Sequence, residues 1–350
     1  MKKVISIICA VCVLSISVSL MGCNKTTNAN EVIHVYNWGD YIDESVNDQF
    51  TKETGIKVVY EVYPTNEDMY AKLESGTVNY DVIIPSDYMI EKMINEDRLE
   101  KLDFNNIPNY DKVSDKYKNL PFDPNNEYSV PYMWGTVGII YNKANITDKV
   151  DSWDILWDPK YEKQILMLDS ERDSLMVALK KLGYSMNTRD EKELEEAKNE
   201  LINQKPLVLA YVGDEGKDKM INGEANFMVA WSGDAMYMIE ANPDLDYVMP
   251  KEGTNFWVDS IVIPKGAKNK SGAEKYINFL ARPDIAIKNV NEIGYSTPID
   301  ETRDMLPEEI KNSPIAYPED DSLVNTELFK DPSDLIKTYS RIWTEVKAAQ

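Results

Sequence analysis

Hydrophobic residues along this chain follow two spacings, one typical of strands and the other of helices. Short runs rich in Val, Ile and Tyr alternate with segments in which apolar residues recur every three or four positions, as Ile42, Val46 and Phe50 do before Gly55. The predicted strands are 32–36, 56–63, 80–84, 164–168, 208–211, 227–231, 247–249 and 257–263. The predicted helices are 42–50, 67–75, 88–96, 174–182, 191–203, 272–280, 283–293 and 335–347.

The first 30 residues depart from this pattern. Lys2 and Lys3 precede an apolar run at 4–20, and the sequence Leu-Met-Gly-Cys occupies 20–23. This order predicts a lipoprotein signal peptide at 1–22 and a lipid on Cys23, followed by a polar tether that completes the segment 23–30. An uncleaved transmembrane anchor is the alternative. The sequence therefore predicts an extracytoplasmic protein that lipid anchors to the cell membrane, at its outer face or in the periplasm.

The order of the remaining elements predicts the fold class. Strands alternate with helices, which indicates an α/β fold with parallel sheets covered by helices. Removal of the leader leaves 328 residues, which exceeds one typical hydrophobic core and favours two domains. Ligands of open α/β sheets bind beyond the carboxyl ends of the strands, so we expect two lobes with a cleft between them.

Charge and composition exclude several classes of function. The formal charge is −22, or −24 without the leader and its two lysines, so we expect no binding to nucleic acid or to anionic lipid headgroups. Cys9 and Cys12 lie in the leader, which leaves Cys23 alone and excludes an intrachain disulfide in the mature chain. The single histidine, His34, is predicted to be an ordinary strand residue. One histidine cannot supply a His-rich zinc site. We expect no metal and no cofactor.

Aromatic, hydroxyl and acidic side chains follow one predicted strand after another. A single aromatic residue in such a place is more often part of the core, and a single Asp is more often a helix cap, so the interpretation depends on the whole set. Trp257 and Asp259 stand two positions apart and so share one face of their strand. The candidates are Trp38, Tyr41, Ser86, Tyr88, Asp169, Glu171, Asp173, Trp231, Trp257, Asp259 and Tyr295.

A flexible aliphatic polycation suits a site made of aromatic faces and carboxylates. Its methylene groups pack against rings, and each cation–π contact of its ammonium groups contributes about 0.5–2 kcal/mol. Its charges need carboxylates when they leave water, and a charge-assisted hydrogen bond contributes roughly 1.5–3 kcal/mol. A neutral sugar would need fewer acids, and an anion would need Arg side chains and helix N-termini.

Seven segments of the chain resemble the spermidine/putrescine-binding proteins of bacterial ABC transporters. They are Val-Tyr-Asn-Trp-Gly-Asp-Tyr (35–41), Phe-Thr-Lys-Glu-Thr-Gly-Ile-Lys-Val (50–58), Tyr-Asp-Val-Ile-Ile-Pro-Ser (80–86), Pro-Phe-Asp-Pro-Asn-Asn (121–126), Trp-Asp-Ile-Leu-Trp (153–157), Phe-Trp-Val-Asp-Ser (256–260) and Ile-Gly-Tyr-Ser-Thr-Pro (293–298). The resemblance implies a two-lobe fold of the periplasmic-binding-protein type II, in which each lobe is a mixed, mostly parallel sheet flanked by helices.

The resemblance also implies that the two lobes are discontinuous in sequence. Lobe 1 would contain 31–135 and 256–301, and lobe 2 would contain 136–255 and 302–350. The chain would then cross between the lobes three times, near 134–136, near 251–255 and near 300–302, and these crossings would serve as hinges.

Individual residues acquire roles through the same resemblance. It implies an aromatic box of Trp38, Tyr41, Tyr88, Trp231, Trp257 and Tyr295 around the aliphatic chain of an amine. Asp259 would meet an inner amine, Ser86 would make a polar contact, and Asp173 would hold a terminal ammonium where the family has a glutamate.

Three positions depart from the family pattern. The family has a threonine at the place of Gly39, an aspartate at the place of Ser170, and a glutamine near Phe329. Asp169 or Glu171 can substitute for the aspartate that is missing at Ser170. These departures affect the two ends of the implied site, and so bear on which polyamine is preferred.

The sequence therefore predicts a binding protein that is not an enzyme. It would capture spermidine, putrescine or spermine by closing its lobes, act as a monomer, and deliver the amine to the membrane permease of an ABC transporter. Three alternatives remain open from the residues alone. They are a surface hydrolase that uses paired acids such as Asp173 and Asp259, a binding protein of the same fold for a sugar, iron or a peptide, and a sensor domain of a membrane receptor.

Overall fold

A computed structural model describes residues 31–323 and 325–349 of the chain. The predicted signal peptide 1–22, the predicted lipidation site Cys23 and the tether 23–30 lie outside the described residues. The described chain forms nine strands. They are β1 (Val32–Trp38), β2 (Lys57–Tyr63), β3 (Val82–Ile83), β4 (Ser129–Asn142), β5 (Ile165–Leu168), β6 (Val208–Val212), β7 (Phe227–Trp231), β8 (Leu245–Val248) and β9 (Phe256–Val262).

Twelve α-helices accompany the strands in this part of the chain, together with short 3₁₀ turns. They are α1 (Ser45–Thr54), α2 (Asn66–Glu74), α3 (Asp87–Asn95), α4 (Glu171–Lys181), α5 (Glu191–Gln204), α6 (Glu215–Ile221), α7 (Ser232–Ala241), α8 (Lys270–Leu280), α9 (Pro283–Ile293), α10 (Asp300–Asp304), α11 (Glu308–Lys311) and α12 (Ile336–Ala348). Over residues 31–323 and 325–349, no helix has both the length and the apolar character that crossing a bilayer requires.

Each predicted strand and helix is present, with ends that differ by a few residues from the predicted ones. Helix α4 begins at Glu171, three residues before its predicted start, because the Ser170 side chain accepts a hydrogen bond from the backbone N–H of Asp173 and caps the helix. The hydrophobic pattern did not predict β4, α6, α7 or the two short helices α10 and α11.

The strands form one mixed sheet in the order β2-β1-β3-β9-β4-β7-β5-β6, with β8 also paired to β4. Strand β1 pairs in parallel with β2 and β3, and β5 pairs in parallel with β6 and β7. The pairings of β4 with its neighbours and of β3 with β9 are antiparallel. The predicted architecture of mixed sheets and flanking helices is confirmed, with more antiparallel pairing than the sequence predicted.

Strand β4 changes its partners midway along its length. The part that ends at Thr136 pairs with β9, and the part that begins at Val137 pairs with β7. The backbone N–H of Val137 also donates to the carbonyl of Asn255 at 3.1 Å. Two of the predicted crossings, near 134–136 and near 251–255, are therefore neighbours in space. The lobe boundaries remain a prediction.

Two groups of buried side chains stabilise this arrangement. The larger group includes residues of the strands on both sides of the partner change in β4, among them Trp134 and Phe227. The smaller group lies between α4, α5 and α12, where Leu179, Leu201 and Ile342 are fully buried. Burial of one such side chain contributes about 1.5–3 kcal/mol, so this group fixes the C-terminal helix to α4 and α5.

Candidate functional site

Asp259 is a buried carboxyl on β9 at the centre of the candidate site. The residue is 7% exposed, and the Tyr41 hydroxyl donates a hydrogen bond to its Oδ2 at 2.9 Å. Ser86 forms an isolated antiparallel bridge with Asp259, which places the two residues side by side. Burial raises the pKa of Asp259 to about 6, whereas the nearby hydroxyl groups of Ser86 and Tyr41 favour the ionised form. A nearby cation would stabilise this carboxylate further.

Three aromatic rings form a row of edge-to-face contacts beside Asp259. The ring of Tyr295 lies between the other two, with centroid distances of 6.0 Å to Tyr41 and 5.1 Å to Trp257. Tyr295 follows α9, which ends at Gly294 in a left-handed conformation with φ of 82°. The row therefore combines the β1–α1 connection, strand β9 and the end of α9.

Tyr295 also contacts helix α7, which lies in the part of the chain predicted as lobe 2. Its hydroxyl lies near the carboxyl of Asp234. Burial raises the pKa of Asp234, whereas Lys217, 3.5 Å away, and the Tyr295 hydroxyl favour the ionised form. A methyl group on Gly233 would lie 2.1 Å from Cδ1 of Tyr295. Only a residue without a side chain allows the ring to come this close to the helix.

A second cluster surrounds Tyr88 at the start of α3. The guanidinium of Arg172, from α4, lies 3.9 Å from the centroid of the Tyr88 ring. It donates to the Tyr88 hydroxyl and, at 2.9 Å, to Oε1 of Glu67. The Tyr88 hydroxyl donates to the same Glu67 oxygen at 3.1 Å and accepts from Asn66 Nδ2 at 2.9 Å. The ring of Phe329 approaches Tyr88 edge-on at 6.5 Å. Tyr88 is thus in contact with a cation of the protein itself.

Asp87 is a further buried carboxyl near Asp259. It accepts hydrogen bonds from the backbone N–H groups of Tyr88 at 2.7 Å and Val258 at 3.4 Å. Burial raises the pKa of Asp87 well above its ordinary value, and the charge of Asp259 acts in the same direction. Two acidic groups therefore share this poorly hydrated region.

The acidic candidates at the start of α4 have different surroundings. Asp173 is buried, and burial raises its pKa although Arg172 favours its ionised form. Asp169 is exposed and forms an ion pair with Lys347 of α12 at 2.7 Å. Glu171 accepts a hydrogen bond from the Ser340 hydroxyl at 3.4 Å. Asp173 is thus buried at the start of α4, whereas Asp169 and Glu171 contact the C-terminal helix.

Trp38, Gly39 and Trp231 occupy strand ends, as the sequence predicted. The indole N–H of Trp38 donates to the carbonyl of Ile84 at 2.9 Å, and its ring lies 4.7 Å from that of Tyr63. A methyl group added at Gly39 would meet no atom within 4 Å, so close packing around the Cα does not require glycine there. Trp231 is half-buried at the end of β7, directly before α7.

Several polar residues of these clusters were not predicted. They are Asn66, Glu67, Asp87, Arg172 and Asp234. A search for acids and rings that could receive a cation does not select Arg172, although it lies between two acidic candidates. Asp87 follows Ser86 directly and could have been found by the rule that selected Ser86. Asp234 lies on a helix that the hydrophobic pattern did not reveal.

The donors in this region suit an organic cation. Among the described residues, no group of three or more His, Cys, Asp or Glu side chains is placed to hold a metal ion. Buried carboxyls next to aromatic rings instead offer charge to an ammonium group and apolar surface to its methylene groups.

Comparison with known proteins extends this description. A protein family described as bacterial extracellular solute-binding protein matches residues 46–318. The spermidine/putrescine-binding periplasmic protein of Escherichia coli K12 is 41% identical over 323 residues, which are 92% of this chain and 93% of the relative. The putrescine-binding periplasmic protein SpuD of Pseudomonas aeruginosa is 35% identical over 342 residues, with 92% and 93% of the two chains covered.

A solved structure gives the same result for the fold. The spermidine/putrescine ABC transporter substrate-binding protein PotD from Streptococcus pneumoniae superimposes with a TM-score of 0.81 at 40% sequence identity. The match covers 91% of this chain and 98% of that protein. The similarity therefore extends over most of both chains.

Proposed function

Because the chain belongs to the family of bacterial extracellular solute-binding proteins, and within it to the spermidine/putrescine-binding proteins, we propose that it is the polyamine receptor of an ABC transporter. It captures a polyamine outside the cytoplasm and delivers it to a membrane permease. The names of its relatives describe binding rather than catalysis, so we propose that the amine is released unchanged.

The row of rings beside Asp259 carries this proposal. An inner ammonium of the ligand pairs with Asp259, and its methylene groups lie against Tyr41, Trp257 and Tyr295. The buried carboxylate is costly without a partner, because burial disfavours its charge. A ligand cation removes much of that cost. Ser86, which is bridged to Asp259 through the backbone, adds a polar contact, and Trp38 and Trp231 extend the aromatic box.

The proposed mechanism is closure of two lobes around the amine. Lobe 1 consists of 31–135 with 256–301, and lobe 2 of 136–255 with 302–350. The contact of Tyr295 with Gly233 and Asp234 joins residues assigned to different lobes, which supports closure at the site. The ligand shifts the equilibrium only by the difference between its affinities for the closed and the open form.

The proposed location follows from the leader together with the relatives. Those from Escherichia coli and Pseudomonas aeruginosa are named as periplasmic proteins. We propose that this chain also acts outside the cytoplasm, that it is a monomer, and that a lipid on Cys23 holds it at the cell membrane.

Isothermal titration calorimetry tests the function. Putrescine, spermidine and spermine are titrated into the folded protein at neutral pH, with an uncharged disaccharide as the control ligand. At least one amine is expected to bind with micromolar or tighter affinity, while the sugar produces no binding heat. Mass spectrometry of the recovered amine is expected to show an unchanged compound. Absence of binding by all three amines would contradict the proposal.

A further inference from the structure

Asn66 is a buried amide at the start of α2 that contacts two residues of the candidate site. It is 3% exposed, and it follows Thr65, whose side chain accepts from the backbone N–H of Asp68 and caps the helix. The Asn66 side chain reaches the connection between β3 and α3, where Ser86 and Tyr88 lie. One amide therefore joins helix α2 to two members of the site.

Three hydrogen bonds connect the Asn66 amide to these two residues. Its Oδ1 accepts from the backbone N–H of Ser86 at 3.3 Å. Its Nδ2 donates to the Ser86 hydroxyl at 3.1 Å and to the Tyr88 hydroxyl at 2.9 Å. Because a backbone N–H can only donate, the amide oxygen must face the backbone of Ser86. The amide nitrogen is then directed to the two hydroxyl groups, and both of its hydrogens are used.

The same amide determines where the two hydroxyl hydrogens point. Each hydroxyl accepts from Nδ2 of Asn66, so its own hydrogen is directed away from the amide. The Tyr88 hydroxyl donates to Oε1 of Glu67 at 3.1 Å. Ser86 is bridged through the backbone to Asp259, and its nearby hydroxyl favours the ionised form of that carboxyl. Asn66 thereby keeps Ser86 in the donor orientation that a neighbouring carboxylate needs.

A carboxamide is the group that these contacts require. The two hydroxyls and the backbone N–H together need two donors and one acceptor within one short side chain. A carboxylate offers no donor, and the hydroxyl of serine or threonine offers only one. Without the amide, the side chains of Ser86 and Tyr88 would adopt several orientations, and binding would have to select one of them.

We propose that Asn66 is a positioning residue of the amine site, whose carboxamide holds Ser86 and Tyr88 in the orientations that the ligand needs. This inference rests on the proposed polyamine function and adds a residue to the same site. Asn66 acts through its two partners and makes no contact with the ligand itself. Its contribution to affinity is therefore pre-organisation of the free protein.

Calorimetry with the most tightly bound of putrescine, spermidine and spermine compares the native protein with Asn66→Ala. The variant is expected to bind about tenfold more weakly, because two site residues lose their fixed orientation. Asn142→Ala is the matched control. Asn142 is also buried, at 7% exposed, but its Oδ1 accepts from the backbone N–H of Ala144 at the end of β4. This control is expected to keep the native affinity.

Double-mutant cycles separate positioning from a general effect on the fold. If Asn66 acts through Ser86 and Tyr88, its replacement matters less once either hydroxyl has been removed. In the Ser86→Ala background and in the Tyr88→Phe background, the effect of Asn66→Ala is expected to fall to about threefold. A merely structural role would give the same factor in both backgrounds as in the native protein.

Circular dichroism and thermal unfolding establish that each variant is folded. If Asn66→Ala does not fold, Asn66→Ser, which keeps one donor, takes its place with an expected loss of about threefold that falls below about twofold in the same backgrounds. Native affinity in the folded variant overturns the inference, as does an equal factor in all three backgrounds. Failure of the native protein to bind any amine would instead contradict the proposed function itself.

Discussion

Buried acidic groups are the most distinctive residues of the candidate site. Asp87, Asp173 and Asp259 are each less than a tenth exposed, and burial raises the pKa of each. Their surroundings differ, because backbone N–H groups hold Asp87, Arg172 favours the charge of Asp173, and hydroxyl groups hold Asp259. Asp87 and Asp259 thus both rely on neutral donors, and Asp259 is the one whose donor, Tyr41, belongs to the row of aromatic rings.

Replacement of Asp259 by Asn tests this assignment. The variant keeps the shape of the side chain but loses its charge, and we expect it to weaken amine binding by about 2–5 kcal/mol, as for one partner of a buried charge pair. Calorimetric titration measures the change. Asp284→Asn, which alters an exposed ion pair with Arg282, serves as the control and should leave the affinity unchanged. Native affinity in Asp259→Asn would place this carboxyl outside the site.

The pH dependence of binding follows from the raised pKa of Asp259. The amine stabilises the ionised carboxyl, whereas aliphatic ammonium groups stay protonated at pH 5–7. Binding should therefore strengthen as the pH rises through about 6, and the dissociation constant at pH 5 should be about tenfold larger than at pH 7. Titrations at pH 6 in buffers of different ionisation enthalpy should detect proton release, which Asp259→Asn reduces. A flat profile in the native protein would refute this coupling.

Protein stability should respond to the same group in the opposite direction. The folded state binds the proton of Asp259 more tightly than the unfolded chain does, because the pKa in the fold lies above the ordinary value. This carboxyl therefore favours the fold most below its ordinary pKa, and the contribution is lost as the pH rises through about 6. Ligand binding thus favours the ionised form of Asp259, whereas folding favours its protonated form.

Most elements could be predicted because each has a single hydrophobic period. Strand β4 is different, since it is apolar or small almost throughout and is buried along nearly its whole length. Neither the period of a half-buried strand nor that of a surface helix occurs in such a segment, and Pro131 and Gly135 suggest a loop. The sequence also does not reveal that this strand pairs with two different sets of neighbours.

Helix α12 provides a test of packing at the level of an element. Ile342 is fully buried against α4 and α5, and Ile342→Ala should lower the free energy of unfolding by about 2–5 kcal/mol. Ile336 begins the same helix and is 46% exposed, so Ile336→Ala should change this free energy by less than about 1 kcal/mol. Urea unfolding measures both variants. Equal effects would show that burial of Ile342 does not stabilise the helix.

At the scale of the whole molecule, the candidate site depends on contacts between distant parts of the chain. The sequence identified Tyr41, Ser86, Trp257, Asp259 and Tyr295, which the structure brings together. It did not identify Arg172 or the place of Gly233. Arg172 and Gly233 matter because of the residues that they contact, which are distant in sequence. The residues that follow each predicted strand do not indicate which side chains meet across the cleft.

Gly233→Ala should hinder the approach of the two lobes. The added methyl group would overlap the ring of Tyr295, so we expect every amine to bind at least about tenfold more weakly while the fold remains stable, because alanine favours a helix. Gly213→Ala is the control, since its methyl group would meet only the Glu215 side chain at 3.3 Å. Calorimetry gives the affinities, and small-angle scattering shows whether amine still makes the protein more compact. Native affinity in Gly233→Ala would show that the contact between Gly233 and Tyr295 is not needed for closure.

The partner change within β4 has a consequence for engineering this protein. A chain break or a flexible insertion between Thr136 and Val137 would disturb the pairing of β4 with β9 on one side and with β7 on the other. Gene fragments that end there should therefore yield insoluble products when expressed separately. Reporter domains or labels are better introduced at exposed termini of helices, where no backbone pairing is interrupted.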